Sequence, residues 1–183
     1  DIGFADAPYT LATYLIEGRP TRDFARTKTL MHGAPQVWHA LMHRLAKLTS
    51  TYLQAQIEAG VDVVQLFDSW VGALDVDDYV HFVQPYTRFI FSSIGESVPT
   101  IHFGTNTTAL LDQMKDDGAT TIGVDWRVPL DTAWRRIGHH RGIQGNLSGH
   151  VYGAVVFDGL GVGADGFGSV GSVDDCAWHS SRN

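Results

Sequence analysis

The stretch that decides the fold is VDVVQLFDSW, Val61 to Trp70. Val61, Val63, Val64, Leu66 and Phe67 form a short apolar run, rich in β-branched and aromatic residues, which suits a buried strand. The run then stops on a carboxylate, a hydroxyl and an indole: Asp68, Ser69 and Trp70. The chemistry of this chain is to be sought where such apolar runs end.

The same pattern repeats along the chain. DIGFA is a strand ending near Asp6, VPTIHF and TTIGVDW are strands, and RGIQGNL is a fifth. Between them lie helices. The region from Thr21 to Gly60 carries apolar Val37, Leu41, Leu45 and Leu48 at intervals of three or four, and Gly60 is a stop. Pro35 sits where a helix begins, so the region divides into two helices there. DVDDYVHFVQPYTRFIFSSI reads as one helix with acids in its first turn, where the helix dipole favours them. NTTALLDQMKDDG reads as a helix capped by Asn106 and closed by Gly118, and PLDTAWRRIG as another.

Strands without period-two alternation, each followed by a helix, predict a parallel sheet covered by helices. No glycine fingerprint follows the first strand, which disfavours a dinucleotide-binding fold. The expectation is an α/β fold, a (β/α)8 TIM barrel. Such a barrel takes about 250 residues, so about five strands in a 183-residue chain make an incomplete one. Its active site would lie at the carboxyl ends of the strands. Asp6, Asp68 with Ser69, His102, Asp125 with Trp126, and Gln144 with Asn146 are all expected at that mouth.

Composition narrows the partners. The apolar share is 44% and the charged share 18%, a globular balance. A net charge of -7 argues against nucleic-acid binding, which needs clustered Lys and Arg. No apolar run is long enough to cross a membrane, and no signal peptide is visible. One cysteine, Cys176, excludes an internal disulfide and a cysteine-based zinc site, and fits a cytoplasmic setting.

Several motifs invite chemistry and do not carry it. HALMH places His39 and His43 one helical turn apart, but Ala40 stands where a zinc protease needs Glu. GLGVGADGFGSVG has the glycine count of a phosphate loop but no Lys-Ser or Lys-Thr pair. Asp77 and Asp78 are explained by the helix dipole, and Trp38 and Trp134 by packing.

Taken in order, four segments resemble the uroporphyrinogen decarboxylase family: GFADAPYTLATYLIEG, QLFDSWVGAL, GVDW and QGNL. The resemblance covers residues 1–147. It implies a cytoplasmic, cofactor-free and metal-free carboxy-lyase, commonly a homodimer, built as a (β/α)8 barrel. The implied reaction removes carbon dioxide from four acetate side chains of uroporphyrinogen and yields coproporphyrinogen. The resemblance places Tyr14 at the family's active-site tyrosine and Ser69 at a substrate-binding hydroxyl. Asp68 would repel an anionic substrate, so it is expected to turn aside. No catalytic residue is assigned within the segment.

Three departures qualify the resemblance. The family's Arg-Gln-Ala-Gly-Arg segment and its pyrrole-binding aspartate would lie upstream of Asp1. Its late Gly-His-Gly histidine has no counterpart here. Asp6 stands where the family has Gly. After Leu147 the text changes character: nine of the 20 glycines fall between Gly145 and Gly171. Residues 148–183 are therefore expected to be an atypical Gly-rich tail, disordered or produced by a reading-frame change near Ser148. Two other readings remain. One is a non-catalytic remnant of the barrel. The other is a corrinoid-linked methyltransferase, whose His-x-Cys zinc motif meets His102 but finds Gly104.

Overall fold

The computed structural model describes residues 1–19 and 21–146, and the backbone of Val155 and Val156. Five parallel strands follow one another in both sequence and space: β1 (Ile2–Asp6), β2 (Val63–Asp68), β3 (Thr100–Gly104), β4 (Thr121–Val124) and β5 (Gly142–Gly145). An open doubly wound sheet reverses its strand order at a switch point. This order never reverses, which is how a barrel grows. A short β6 (Val155–Val156) adds antiparallel to β5, one strand beyond the five expected. The remainder of the Gly-rich tail lies outside the described residues.

Helices fill the crossovers: α1 (Pro8–Glu17), α2 (Ala25–Gly33), α3 (Pro35–Glu58), α4 (Val76–Phe82), α5 (Gln84–Ile94), α6 (Leu111–Met114) and α7 (Leu130–Ile137). Pro8 opens α1 and Gly18 closes it in the left-handed region, its N–H donating to the Tyr14 carbonyl. The expected division at Pro35 is present. Other helix expectations need correction. The single helix expected from Asp75 breaks at Val83, just before Pro85, whose ring cannot continue the hydrogen-bond ladder. Asn106 does not cap α6. It takes a left-handed φ of 57° and turns its amide onto the Gly72 carbonyl, while a 3₁₀ turn at Thr108–Leu110 leads into the helix. The buried stripe of α3 runs through Trp38, Met42, Leu45, Ala46, Thr49 and Leu53, whereas Val37 and Leu48 are exposed. Trp38 fixes that phase: fully buried, it donates its indole N–H to the Phe82 carbonyl.

The strands alternate faces with a period of two. Ala5, Val64, Leu66, Ile122, Val124 and Ile143 point into the core with the helices. The opposite face carries Phe4, Phe67 and Phe103, stacked edge to face with ring centres 6.0 and 5.9 Å apart. Gly123 makes room there, since a Cβ would meet the Phe103 side chain at 2.8 Å. Ile2 and Phe4 on this face are each 59% exposed. The edge of β1 is partly sealed. Ala7 donates to the Phe67 carbonyl, so Phe4 aims its own backbone groups outward. The Gln56 amide meets both, accepting from the Phe4 N–H at 2.8 Å and donating to its carbonyl at 3.0 Å.

Candidate functional site

Strand parity separates the residues expected at one mouth into two groups. Asp68 shares the phase of Val64 and Leu66 and faces the helices, where it is fully buried. Ser69, one residue on, faces the other way. His102 pairs in register with Leu66, so it too lies on the helix side and is fully buried. The expectation that Asp68 and His102 belong to the mouth is thus corrected. Asp68 does turn aside, as expected, but where a loop or an arginine was expected as its partner it meets Thr10 of α1 and His102.

On the helix side these residues form a closed charge network. Asp68 accepts from the Thr10 hydroxyl at 3.1 Å and lies 3.7 Å from His102 Nε2. His102 Nδ1 lies 3.4 Å from Asp117. Asp117 also accepts from the Tyr79 hydroxyl and from the Gln84 amide at 2.8 Å. Neither ring nitrogen of His102 meets a hydrogen-bond partner among the described residues, so its contacts are ionic. Burial disfavours the charged ring, but the carboxylates of Asp117 and Asp68 outweigh it and push the His102 pKa up to about 9. Burial, with Asp117 next to it, raises Tyr79 well above the ordinary phenol range. Sequence reading missed this network because Asp117 sits in KDDG, which reads as a helix end. Strand parity places Asp68 and His102 on the helix side, but nothing in the sequence brings Asp117 to them.

At the open edge of β1, near its carboxyl end, a cavity of about 610 Å³ lies between the uncovered face of the sheet and the helices α1 and α3. Phe4, Phe67, Leu11 and Tyr52 give it apolar walls, and Asp6, Tyr14 and Ser69 supply its polar groups. Tyr14 projects from α1 and is 51% exposed, so it is no core aromatic. The Asp6 carboxylate, the Tyr14 phenol and the Ser69 hydroxyl make no hydrogen bond to any other described residue; the three residues are engaged through their carbonyls, by Thr49, Gly18 and Thr105 in turn. Burial first, and the nearby charge of Asp68 second, raise the Asp6 pKa above the usual carboxylate range. The neighbouring loops are held close: a Cβ on Gly72 would lie 2.2 Å from the Thr105 carbonyl.

The other mouth candidates mostly bind loops to one another. Asp125 accepts from the backbone N–H groups of Asn106 at 2.7 Å and Arg127 at 3.0 Å, and pairs with the Arg127 guanidinium at 2.5 Å. Trp126 is 58% exposed and lies under the same guanidinium. Asn146 donates to the Val128 carbonyl, and the Gln144 side-chain oxygen is buried without a partner among the described residues. His32 meets Asp78 and His39 meets the Tyr86 hydroxyl, ordinary surface contacts. No group of three metal-binding side chains occurs among the described residues, and no described helix is long and apolar enough to cross a membrane.

Comparison with known proteins agrees with the strand-end motifs. The sequence model of the family described as uroporphyrinogen decarboxylase (URO-D) matches residues 2–153. A protein of Frankia casuarinae named uroporphyrinogen decarboxylase is 57% identical over 146 residues, covering 80% of this chain and 40% of the relative. Relatives of the same name from Sorangium cellulosum and Thermobifida fusca are 53% and 55% identical over 147 residues, with 42% and 41% of their lengths covered. The chain therefore spans about two fifths of the length of the curated relatives it matches. Among solved structures, a methyltransferase from Methanosarcina mazei superposes with a TM-score of 0.68 over 78% of this chain and 41% of its own, at 18% identity, a likeness of fold alone. On the sequence match and the barrel arc together, the chain belongs to the uroporphyrinogen decarboxylase family.

Proposed function

We propose that this chain forms one side of the substrate cleft of a uroporphyrinogen decarboxylase, a carboxy-lyase of porphyrin biosynthesis. The observation that carries the reading is the shared cavity of Tyr14 and Ser69, whose hydroxyls have no partner among the described residues. Two hydroxyls that converge on an apolar-walled cavity and are not held by other side chains are free to meet a ligand there. The Tyr14 phenol and the Ser69 hydroxyl each donate to a carboxylate of the substrate, while the phenylalanine face accommodates the macrocycle. Each decarboxylation needs a proton delivered to a pyrrole carbon. The protonated ring then accepts the electron pair released as carbon dioxide leaves, the methylene takes up a proton, and the ring returns one. This chemistry calls for no metal or organic cofactor.

The reading extends to the whole protein. The family resemblance supports a cytoplasmic homodimer acting on uroporphyrinogen. The reading divides the chain into a partial barrel over residues 1–147 and a tail over 148–183; the 146- and 147-residue alignments with the Frankia and Sorangium relatives support it, and the family match runs on to residue 153. No Lys, Arg or His lines the cavity among the described residues to hold the substrate carboxylates, which supports the reading that the 183-residue chain alone is inactive. The test compares two proteins. One is the 183-residue chain; the other is a chimera in which its residues 1–146 replace the matching segment of the Frankia relative. Coproporphyrinogen should form with the chimera and not with the chain alone. Turnover by the chain alone, or a folded chimera with none, defeats the reading.

A further inference from the structure

We propose that Asp6 makes substrate binding in this cleft depend on pH: protonated, it donates to a substrate carboxylate, and ionised, it repels that carboxylate. The inference rests on the reading of the Tyr14 and Ser69 cavity given above.

Asp6 ends β1 on the uncovered face of the sheet, in register with Phe67. Its side chain lines the same cavity as Tyr14 and Ser69. It is half-buried, yet its carboxylate has no hydrogen bond or ion pair among the described residues. The other titratable groups facing it are few. From α1 comes the Tyr14 phenol, from α3 the Tyr52 phenol, and through the sheet Asp68 acts on it by charge. No Lys, Arg or His lines the cavity among the described residues. A carboxylate placed among apolar walls, with a second carboxylate behind it, is costly to ionise. The ligand proposed for this cavity is a polycarboxylate. Two anionic carboxylates cannot share the site closely, whereas a carboxylic acid and a carboxylate form one strong hydrogen bond. Binding of the substrate and protonation of Asp6 are then linked, and each favours the other.

The test uses the chimera with the Frankia relative, assayed for the Michaelis constant and kcat between pH 5.5 and 8. Asp6→Asn keeps a donor of similar shape that never ionises. With Asp6 present, KM should rise with pH beyond any rise in the Asp6→Asn variant, with kcat changing less. At pH 8 the Asn variant should bind about tenfold more tightly than the parent, and the gap should narrow as the pH falls. Equal KM profiles for parent and variant overturn the proposal. So does a variant that binds more weakly at pH 8, since Asp6 would then be an ionised acceptor. The reverse graft keeps the question open to refutation should the chimera fail to fold. Asp and then Asn are placed at the matching position of the intact Frankia relative, and only Asp should introduce the pH-dependent rise in KM. Tyr14→Phe and Ser69→Ala separate the two readings. If they leave KM unchanged, the cleft assignment itself fails. If they raise KM while Asp6→Asn does nothing, only the role of Asp6 fails.

Discussion

Asp68 and Ser69 are consecutive residues at the end of one strand, and they belong to regions built on opposite logic. Behind the sheet, Asp68 joins His102, Asp117, Tyr79, Thr10 and Gln84 in a network shut off from water. Its charges meet one another and leave nothing for a ligand. In front of the sheet, Ser69 shares a cavity with Tyr14 and Asp6, whose side-chain polar groups find no partner among the described residues. Polarity at a strand end is therefore not a sign of function by itself. What separates structure from site is that the rear charges are buried against one another, whereas the front groups line an open cavity.

The largest expected effect breaks the rear network. His102→Ala in the completed barrel leaves Asp68 and Asp117 buried with no cation between them, and should cost about 3–5 kcal/mol in urea unfolding. Turnover per folded molecule should stay within about twofold of the parent. A variant that keeps its stability but loses turnover would erase the distinction between rear and front.

Titration sharpens the same contrast. The folded-state pKa of His102 is raised to about 9, above the ordinary value near 6.5. The ring is charged in both the folded and the unfolded chain below about pH 6.5, so its stabilising contribution is complete there. That contribution, of the order of 3 kcal/mol, is lost as pH rises through about 9. The urea midpoint should fall over this window in the parent, and the fall should be missing from His102→Ala. A parent midpoint constant from pH 6.5 to above 9 would show that the ring is not held charged.

The front face predicts the opposite signature. Tyr14→Phe removes a hydrogen bond to a charged group and should lower kcat/KM about tenfold or more, with stability changed by less than about 0.5 kcal/mol. His39→Ala, on the surface of α3, should change kcat/KM by less than about twofold. Equal losses in the two variants would remove Tyr14 from the site.

Much of the fold was legible. Each apolar run became a strand in the expected order, and Pro35 divided its helices as read. Three features were not legible, each for a physical reason. The break at Val83 depends on Pro85 acting within an otherwise helical pattern. Asn106 was drawn from capping into bridging two loops by the nearness of Gly72. Val37 and Leu48 offered α3 a second apolar phase, but they stay exposed while Trp38 is buried against α4. The motifs placed Tyr14 and Ser69 in sequence. Their meeting in one cavity with Asp6 depends on β1 and β2 lying side by side, a contact between residues far apart in the chain.

The Gln56 amide on the edge of β1 carries a consequence for assembly. A side-chain amide offers the same donor and acceptor as a peptide unit, so Phe4 has the pairing of a neighbouring strand without having the strand. Any strand that later adds there must evict Gln56 first. Lateral growth of the sheet at this rung is then an exchange of hydrogen bonds rather than a gain of them. Its driving force has to come from covering Ile2 and Phe4, which favours an incoming segment with matching apolar side chains over an arbitrary exposed edge.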